Sequence, residues 1–143
     1  MGKIEYLLKL IDENLRLLDA KLEETTAEKL VDDPFALNSV LHILQISAQA
    51  LIDLASHVAA EAGLGVVEKY SSIPVLLAEK EVLDRDRAVL FRKIIGFRHV
   101  VVHGYAKVSK RLVLKILEER KYRDILDIAL RIAEWAMDKG LDP

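Results

Sequence analysis

The feature that most constrains the fold is a long stretch, residues 34–60, in which Asp53 is the only charged residue. Pro34 directly follows Asp33, which is typical of a helix start, because the carboxylate can cap free backbone amides and proline fits the first turn. A helix that is apolar on most of its sides has to be enclosed by other elements. We therefore predict a long helix, over about residues 34–62, at the centre of a helical bundle.

Hydrophobic periodicity and helix-end signals predict the elements around this long helix. Leucine and isoleucine recur at steps of three and four residues from Ile4 to Leu22, which gives one buried stripe. Residues 25–33 lose the stripe and are predicted to be a connection. The other predicted helices span about residues 3–24, 71–82, 85–103, 110–120 and 123–139. The predicted fold class is all-α, a single domain over residues 1–143, built as an up-and-down bundle of about five or six helices with a long central second helix.

Length and composition limit what else the chain can be. At 143 residues it is about one domain long, and 52% hydrophobic residues are ample for one core. The absence of cysteine excludes disulfides and thiolate metal sites. Charged residues from Lys3 onward argue against a signal peptide, and the polar residues that recur through 34–60 argue against a membrane span. We expect a cytoplasmic protein without membrane association, cofactor or bound metal.

Positive charge is concentrated in the second half of the chain. From Arg87 to Leu117 there are eight Lys or Arg residues and no Asp or Glu, so this segment carries +8 in a chain of net charge -2. A focused positive potential attracts polyanions and raises the rate at which they bind. The segment therefore indicates a phosphate-bearing partner. The alternative is a basic helix that pairs with acidic residues elsewhere in the fold.

The same segment contains the run Gly96-Phe97-Arg98-His99-Val100-Val101-Val102-His103-Gly104-Tyr105. It places acid/base and phosphate-binding side chains in an apolar helical run that closes with a glycine, where a helix commonly stops. Arg98, His103 and Tyr105 follow the pattern Arg-x4-His-x-Tyr. This pattern resembles the signature of the HEPN domains, in particular the HepT-like toxins encoded beside a minimal nucleotidyltransferase. Those proteins often have asparagine after the arginine, where this chain has His99.

The resemblance, which covers nearly the whole chain, implies a metal-independent endoribonuclease of the toxin type. RNA would be cleaved in a groove shared across a homodimer, and a partner nucleotidyltransferase would neutralise the toxin. His103 suits the proton transfers, because imidazole gains and loses protons near neutral pH. Arg98 suits the phosphate, because its planar fork binds two oxygens and stays charged. In HepT-like proteins the partner attaches AMP to the tyrosine that matches Tyr105, so Tyr105 is the expected site of regulatory modification.

Residues that flank the motif are predicted to hold the RNA. RNA is the expected substrate because its 2′-hydroxyl supplies the internal nucleophile that DNA lacks. We predict that His99 contacts the substrate or acts as a second proton-transfer group. Lys107, Lys110 and Arg111 are predicted to contact the phosphate backbone.

A polar line runs along the long central helix at steps of three and four residues. It is either a strip that faces solvent or the wall of a cleft. In the second case, Asp53 or His57 would orient Arg98 or His103. The members of the line are Asn38, His42, Gln45, Gln49, Asp53 and His57.

The spacing of the motif sets the directions in which Arg98 and His103 leave the helix. Arg98 and His103 lie about 140° apart on a straight helix, so they do not point the same way. They can converge only if the helix end distorts near Gly104, or if a second copy of the helix supplies the complement. A two-fold dimer needs a self-complementary apolar surface, and the long helix, Phe97 and the three valines are candidates for it.

Two other functions stay open at this point. The first is an interaction module of the same fold that binds a nucleotidyltransferase and has no catalytic activity. The second is a metal site on His99 and His103, which are four residues apart and share a helix face, with Asp53 or His57 as third ligand. The motif contains no carboxylate, and its cationic surroundings oppose a divalent cation. Arg98 could also form a buried pair with Asp53.

Overall fold

The computed structural model describes residues 2–141, and this part of the chain forms seven α-helices and two short 3-10 turns without a β-strand. The helices are α1 (Lys3–Glu24), α2 (Ala27–Asp32), α3 (Pro34–Glu61), α4 (Ile73–Glu79), α5 (Arg85–His103), α6 (Lys110–Glu118) and α7 (Arg123–Asp138). The 3-10 turns are Tyr70–Ser72 and Tyr105–Lys107. The predicted all-α class is therefore confirmed.

Helix α3 is the element around which the other helices pack. It contacts α1, α2, α5 and α7, and Leu51, Leu54 and Ala55 near its middle are fully buried. The carboxylate of Asp33 caps its start by accepting the backbone N–H of Phe35 at 3.0 Å. The long apolar stretch is thus the central helix that the sequence predicted.

The length and mean hydropathy of α3 would also allow it to cross a membrane. However, 44% of its most apolar 18-residue window is buried inside the bundle. Contacts with α1, α5 and α7 provide this burial. A helix enclosed by its own domain on these sides has the role of a bundle core.

The prediction that residues 25–33 form only a connection is wrong, because they contain the short helix α2. The side chain of Thr26 caps it by accepting the N–H of Lys29 at 3.2 Å. Ala27, Leu30 and Val31 are buried, which is the spacing of one helical face. Six residues are too few for hydrophobic periodicity to be recognised, so the helix escaped the prediction.

Away from the motif, a cluster of charged and polar side chains joins α1 to the connection between α6 and α7. Asp19 accepts hydrogen bonds from Arg120 at 3.0 Å and from Arg123 at 2.6 Å. Tyr122, which is 1% exposed, donates its hydroxyl to the same carboxylate. Burial and this hydrogen bond raise the pKa of Tyr122 to about 12. Because the buried hydroxyl of Tyr122 has an acceptor in Asp19, the cluster joins α1 to the connection between α6 and α7 without leaving that hydroxyl unsatisfied.

Candidate functional site

The motif lies at the C-terminal end of α5, where the chain leaves the helix abruptly. The chain stays α-helical through His103. Gly104 then has a φ of 141°, a conformation that side-chain-bearing residues rarely adopt, and its N–H donates to the carbonyl of Val101 at 3.1 Å. The 3-10 turn Tyr105–Lys107 follows. Glycine at this position lets the chain turn back toward the central helix.

This turn brings Tyr105 against α3. The Tyr105 hydroxyl donates a hydrogen bond to Oε1 of Gln45 at 3.1 Å, and both side chains are half-buried. Beside it lies a groove of about 290 Å³, whose lining includes Asn38, Tyr105 and Lys110. Of the residues in the polar line of α3, Gln45 is therefore in direct contact with the motif.

Arg98 is held by an aromatic ring and not by a carboxylate. Its guanidinium carbon lies 5.1 Å from the centre of the Tyr70 ring, and the side chain is half-buried. Within residues 2–141 no Asp or Glu forms an ion pair with it, so the buried Arg98–Asp53 pair that the sequence left open is not formed. Asp53 is exposed and accepts a hydrogen bond from Gln49 at 2.8 Å instead. An orienting role for Asp53 stays a prediction, as it does for His57, which is half-buried one turn further along α3.

His99 and His103 share one exposed face at the end of α5. Their ring centroids are 4.3 Å apart and the rings are nearly perpendicular, at 82°. No cluster of three or more His, Cys, Asp or Glu side chains suited to a metal ion occurs in the part of the chain that the structure describes. The two imidazoles are thus available to solvent and to each other.

Arg98 and His103 leave the helix on different faces. Because α5 keeps its helical geometry through His103, the angle of about 140° between the two positions is not reduced by a distorted helix end. Arg98 contacts Tyr70, in the segment before α4, whereas His103 contacts His99. One copy of the chain therefore carries both groups at the same helix end but directs them away from a common centre.

The basic segment remains largely without acidic partners in the fold. Arg87 donates to Asp84 at 2.8 Å and to Asp127 at 2.9 Å, and these hydrogen bonds raise its pKa above the usual range. The other cations of the segment form no ion pair with residues 2–141: Arg92, Lys93, Arg98, Lys107, Lys110, Arg111 and Lys115. The reading of a basic helix neutralised by its own fold therefore holds for Arg87 alone.

The predicted RNA contacts Lys107, Lys110 and Arg111 are exposed and follow directly after the motif. Lys107 ends the 3-10 turn, and Lys110 and Arg111 begin α6. The structure thus brings these three cations to the same end of α5 as His103.

An apolar surface adjoins the motif. Phe97 is half-buried, while Val100 and Val102 are 39% and 47% exposed. Phe97 also lines an open groove of about 360 Å³, together with Leu44, Ala48, Leu90, Ile94, Leu112, Ile116 and Ile125. The residues that the sequence nominated for a subunit interface thus include solvent-facing apolar side chains.

Sequence reasoning missed Tyr70 and the specific role of Gln45. Tyr70 lies in a segment without hydrophobic periodicity, 28 positions before Arg98, so no spacing rule connects the two. The sequence pattern places Gln45 in a polar line, but nothing in that line distinguishes it from its neighbours. Their contacts exist only because α3, α5 and the Tyr70 turn meet in the fold.

Comparison with known proteins shows which family this chain resembles. The family model described as ribonuclease HepT-like matches residues 11–132. An Archaeoglobus fulgidus protein named "Putative RNase" is 28% identical over 121 residues, which are 85% of this chain and 81% of that protein. The mRNA nuclease HepT of Shewanella oneidensis is 26% identical over 81 residues, 57% of this chain and 61% of that protein.

A solved structure shares the fold over almost the whole chain. It is the tri-AMPylated HEPN toxin of Shewanella oneidensis in complex with MNT antitoxin, with a TM-score of 0.82. The match covers 94% of this chain and 98% of that chain at 20% sequence identity. At this identity the likeness establishes the arrangement of the helices, and it carries no residue role by itself.

Proposed function

This chain belongs to the ribonuclease HepT-like family, and from that premise we propose that it is a toxin-type endoribonuclease that cleaves RNA without a metal ion. The family match confirms the resemblance predicted from Arg98, His103 and Tyr105. It leaves the role of each residue to be argued from the geometry, and a cytoplasmic location remains a prediction.

One observation carries the proposal: the arginine of the motif is left without a carboxylate at a helix end crowded with unpaired cations. A half-buried guanidinium that serves the fold alone is normally matched by an acidic group. Arg98 has a neutral ring beside it, and His99 and His103 are exposed one and five positions further on. This arrangement suits an anion that comes from outside the protein.

The chemistry assigns a role to each group. Attack by a ribose 2′-oxygen on the adjacent phosphorus forms a 2′-O–P bond and breaks the P–O5′ bond. The imidazole of His103 accepts the proton of the 2′-hydroxyl. A second imidazole, which is protonated, donates a proton to the departing 5′-oxygen. The guanidinium of Arg98 stabilises the negative charge that builds on the phosphate oxygens. His99, whose ring centroid lies 4.3 Å from that of His103, is a candidate for the second proton-transfer group.

A homodimer would bring these groups together. Since Arg98 and His103 diverge on one helix, two copies of α5 related by a two-fold axis can place the arginine of each beside the histidine of the other. Val100 and Val102 lie between the two motif positions in the sequence and expose apolar surface, as an interface needs. The cleft between the copies would be lined by cations from both.

We further propose that a nucleotidyltransferase neutralises the toxin by modifying Tyr105. The solved Shewanella oneidensis toxin is tri-AMPylated and in complex with MNT antitoxin, which supports this class of partner. Phosphates attached to Tyr105 would occupy the groove that it shares with Lys110, repel RNA and neutralise nearby cations. The hydroxyl has to leave Gln45 before it can be modified.

The decisive experiment is an RNA cleavage assay with wild type, His103→Ala and His42→Ala, each run with and without EDTA. His42 is an exposed histidine on α3 and serves as the matched control. We expect cleavage by wild type and His42→Ala, and a loss of at least about a hundredfold in His103→Ala. Cleavage that EDTA abolishes would refute the metal-free mechanism. No cleavage by any form would favour the interaction module.

A second experiment tests the regulation. The chain is co-expressed with a neighbouring minimal nucleotidyltransferase, and the mass of the tryptic peptide that contains Tyr105 is measured. We expect added AMP units on wild type and none on Tyr105→Phe. A neutralised complex in which Tyr105 is unmodified would contradict this part of the proposal.

A further inference from the structure

Tyr70 occupies an unusual place beside the motif. It begins the 3-10 turn Tyr70–Ser72, which contacts α5, and its ring lies 5.1 Å from the guanidinium carbon of Arg98. Tyr70 is 41% exposed, so the pair of side chains lies at the surface and not in the core. An aromatic ring within about 6 Å of a guanidinium attracts the cation through the negative face of its π system.

The guanidinium itself is asymmetrically enclosed. Nε of Arg98 is buried and has no hydrogen-bond partner among the described residues, whereas the two terminal nitrogens are not enclosed in this way. A guanidinium can grip a phosphate either through Nε and one terminal nitrogen or through both terminal nitrogens. Enclosure of Nε removes the first possibility and leaves the second.

We propose that Tyr70 is a positioning residue for Arg98: it holds the guanidinium so that both terminal nitrogens, and not Nε, face the RNA phosphate. This inference rests on the proposed ribonuclease function. The ring is suited to the task because it fixes the cation without neutralising it. A carboxylate in the same place would compete with the phosphate for the same N–H groups.

The proposal makes a graded prediction for substitutions at Tyr70. Tyr70→Phe keeps the aromatic face and loses only the hydroxyl, so it retains the function. Tyr70→Leu keeps an apolar side chain but loses the π face, so Arg98 samples other rotamers. For Tyr70→Leu we expect about a tenfold loss in affinity for an uncleavable 2′-deoxy oligonucleotide, and a similar loss in kcat/KM for RNA. Tyr6→Leu is the matched control, since Tyr6 is an exposed tyrosine on α1 that is 58% accessible.

A direct test of the geometry uses the Nε–H resonance of Arg98 in ¹⁵N-labelled full-length protein. A guanidinium over an aromatic ring is shifted by the ring current. We expect this shift in wild type, Tyr70→Phe and Tyr6→Leu, and its disappearance in Tyr70→Leu. If Tyr70 served only stability, its substitution would change the melting temperature. Tyr70→Phe would then not restore both the oligonucleotide affinity and the chemical shift of Arg98.

The outcomes separate this inference from the function on which it rests. Wild-type cleavage with Tyr70→Leu equal to wild type in affinity and in the Arg98 resonance would overturn the positioning role and leave the ribonuclease intact. Loss of function in Tyr70→Phe as severe as in Tyr70→Leu would also overturn it, because the hydroxyl would then be the essential group. If wild type does not cleave RNA, the proposed function fails. The resonance still decides whether the ring holds the guanidinium.

Discussion

Arginine and tyrosine side chains meet in two regions of this bundle, and the regions differ in how the cationic charge is balanced. At the connection between α6 and α7, Asp19 accepts hydrogen bonds from Arg120, Tyr122 and Arg123. At the end of α5, the only partner of Arg98 within residues 2–141 is the ring of Tyr70. In the first region, which we call the Asp19 cluster, the carboxylate of Asp19 balances the charge of the arginines.

The second region, the end of α5 with Arg98, His99, His103 and Tyr105, is left open. Its histidines are exposed, and the cations around it form no ion pair within residues 2–141, apart from Arg87. A fold gains nothing from unpaired like charges held close together, because they repel one another. The comparison suggests a stabilising role for the Asp19 cluster and supports the proposal that the end of α5 binds an anionic partner.

The largest effect is expected from substituting Arg98, the arginine at the end of α5. Arg98→Ala should reduce kcat/KM for RNA by about a hundredfold or more, because a positioned cation at the phosphate is lost. The free energy of unfolding should fall by about 1 kcal/mol at most, since the contact with the Tyr70 ring is lost but no ion pair is broken. Cleavage assays and urea unfolding measure the two quantities.

The control for this prediction is Arg92→Ala, which removes the same charge from an exposed position of the same helix. It should lower activity a few-fold at most. If both variants lose activity equally, the positive potential as a whole would be responsible, and the specific role of Arg98 would be lost.

The opposite result is expected in the Asp19 cluster. Asp19→Ala leaves the buried hydroxyl of Tyr122 without its acceptor and frees two arginines, which should cost about 2 kcal/mol of unfolding free energy. RNA cleavage at a temperature where the variant is folded should be unchanged. Asp12→Ala on the same helix is the control, because its exposed pair with Arg16 contributes little, about 0.5 kcal/mol or less. Equal stability of both variants would remove the distinction between the two regions.

How far the sequence predicts each region follows from the range of the interactions. The central helix was recognisable because its apolar character and its Asp33–Pro34 start are local signals. The start and end of α5 agree with the prediction for the same reason, since Asp84 and Gly104 are local cap residues. The motif itself is local too, because Arg98, His103 and Tyr105 lie within eight consecutive positions.

The sequence does not predict the contacts around the motif. Arg98 meets Tyr70 and Tyr105 meets Gln45 across separations of 28 and 60 positions, and such pairs depend on how the helices pack. Asp19 and Tyr122, 103 positions apart, went unnoticed for the same reason. Charge composition showed an excess of cations in one segment, but only the fold could show that Arg87 is neutralised and Arg98 is not.

A smaller effect, on pH dependence, should distinguish the Asp19 cluster further. The pKa of Tyr122 is raised to about 12 by burial and by the hydrogen bond to Asp19, from an ordinary value of 10.0. The folded state therefore favours the neutral phenol. The stabilisation is fully present below about pH 10 and is lost as the pH rises through about 12. Urea unfolding between pH 8 and pH 11 should show a decline in stability that Tyr122→Phe reduces and Tyr6→Phe does not. An unchanged decline in Tyr122→Phe would show that this phenol is not the group responsible.

The smallest effect is expected from single exposed cations beside the motif. Each phosphate contact on a single strand contributes about 0.7 to the slope of log affinity against log salt concentration. Lys110→Ala or Arg111→Ala should therefore lower that slope by about 0.7 for a 2′-deoxy oligonucleotide and weaken binding only a few-fold. Lys80→Ala, which removes an exposed cation outside the basic segment, should leave the slope unchanged. Since the Asp19 cluster has its charge balanced internally, Arg123→Ala should also leave the slope unchanged. A slope that falls in Arg123→Ala as much as in Lys110→Ala would mean that RNA does not distinguish the open region from the closed one.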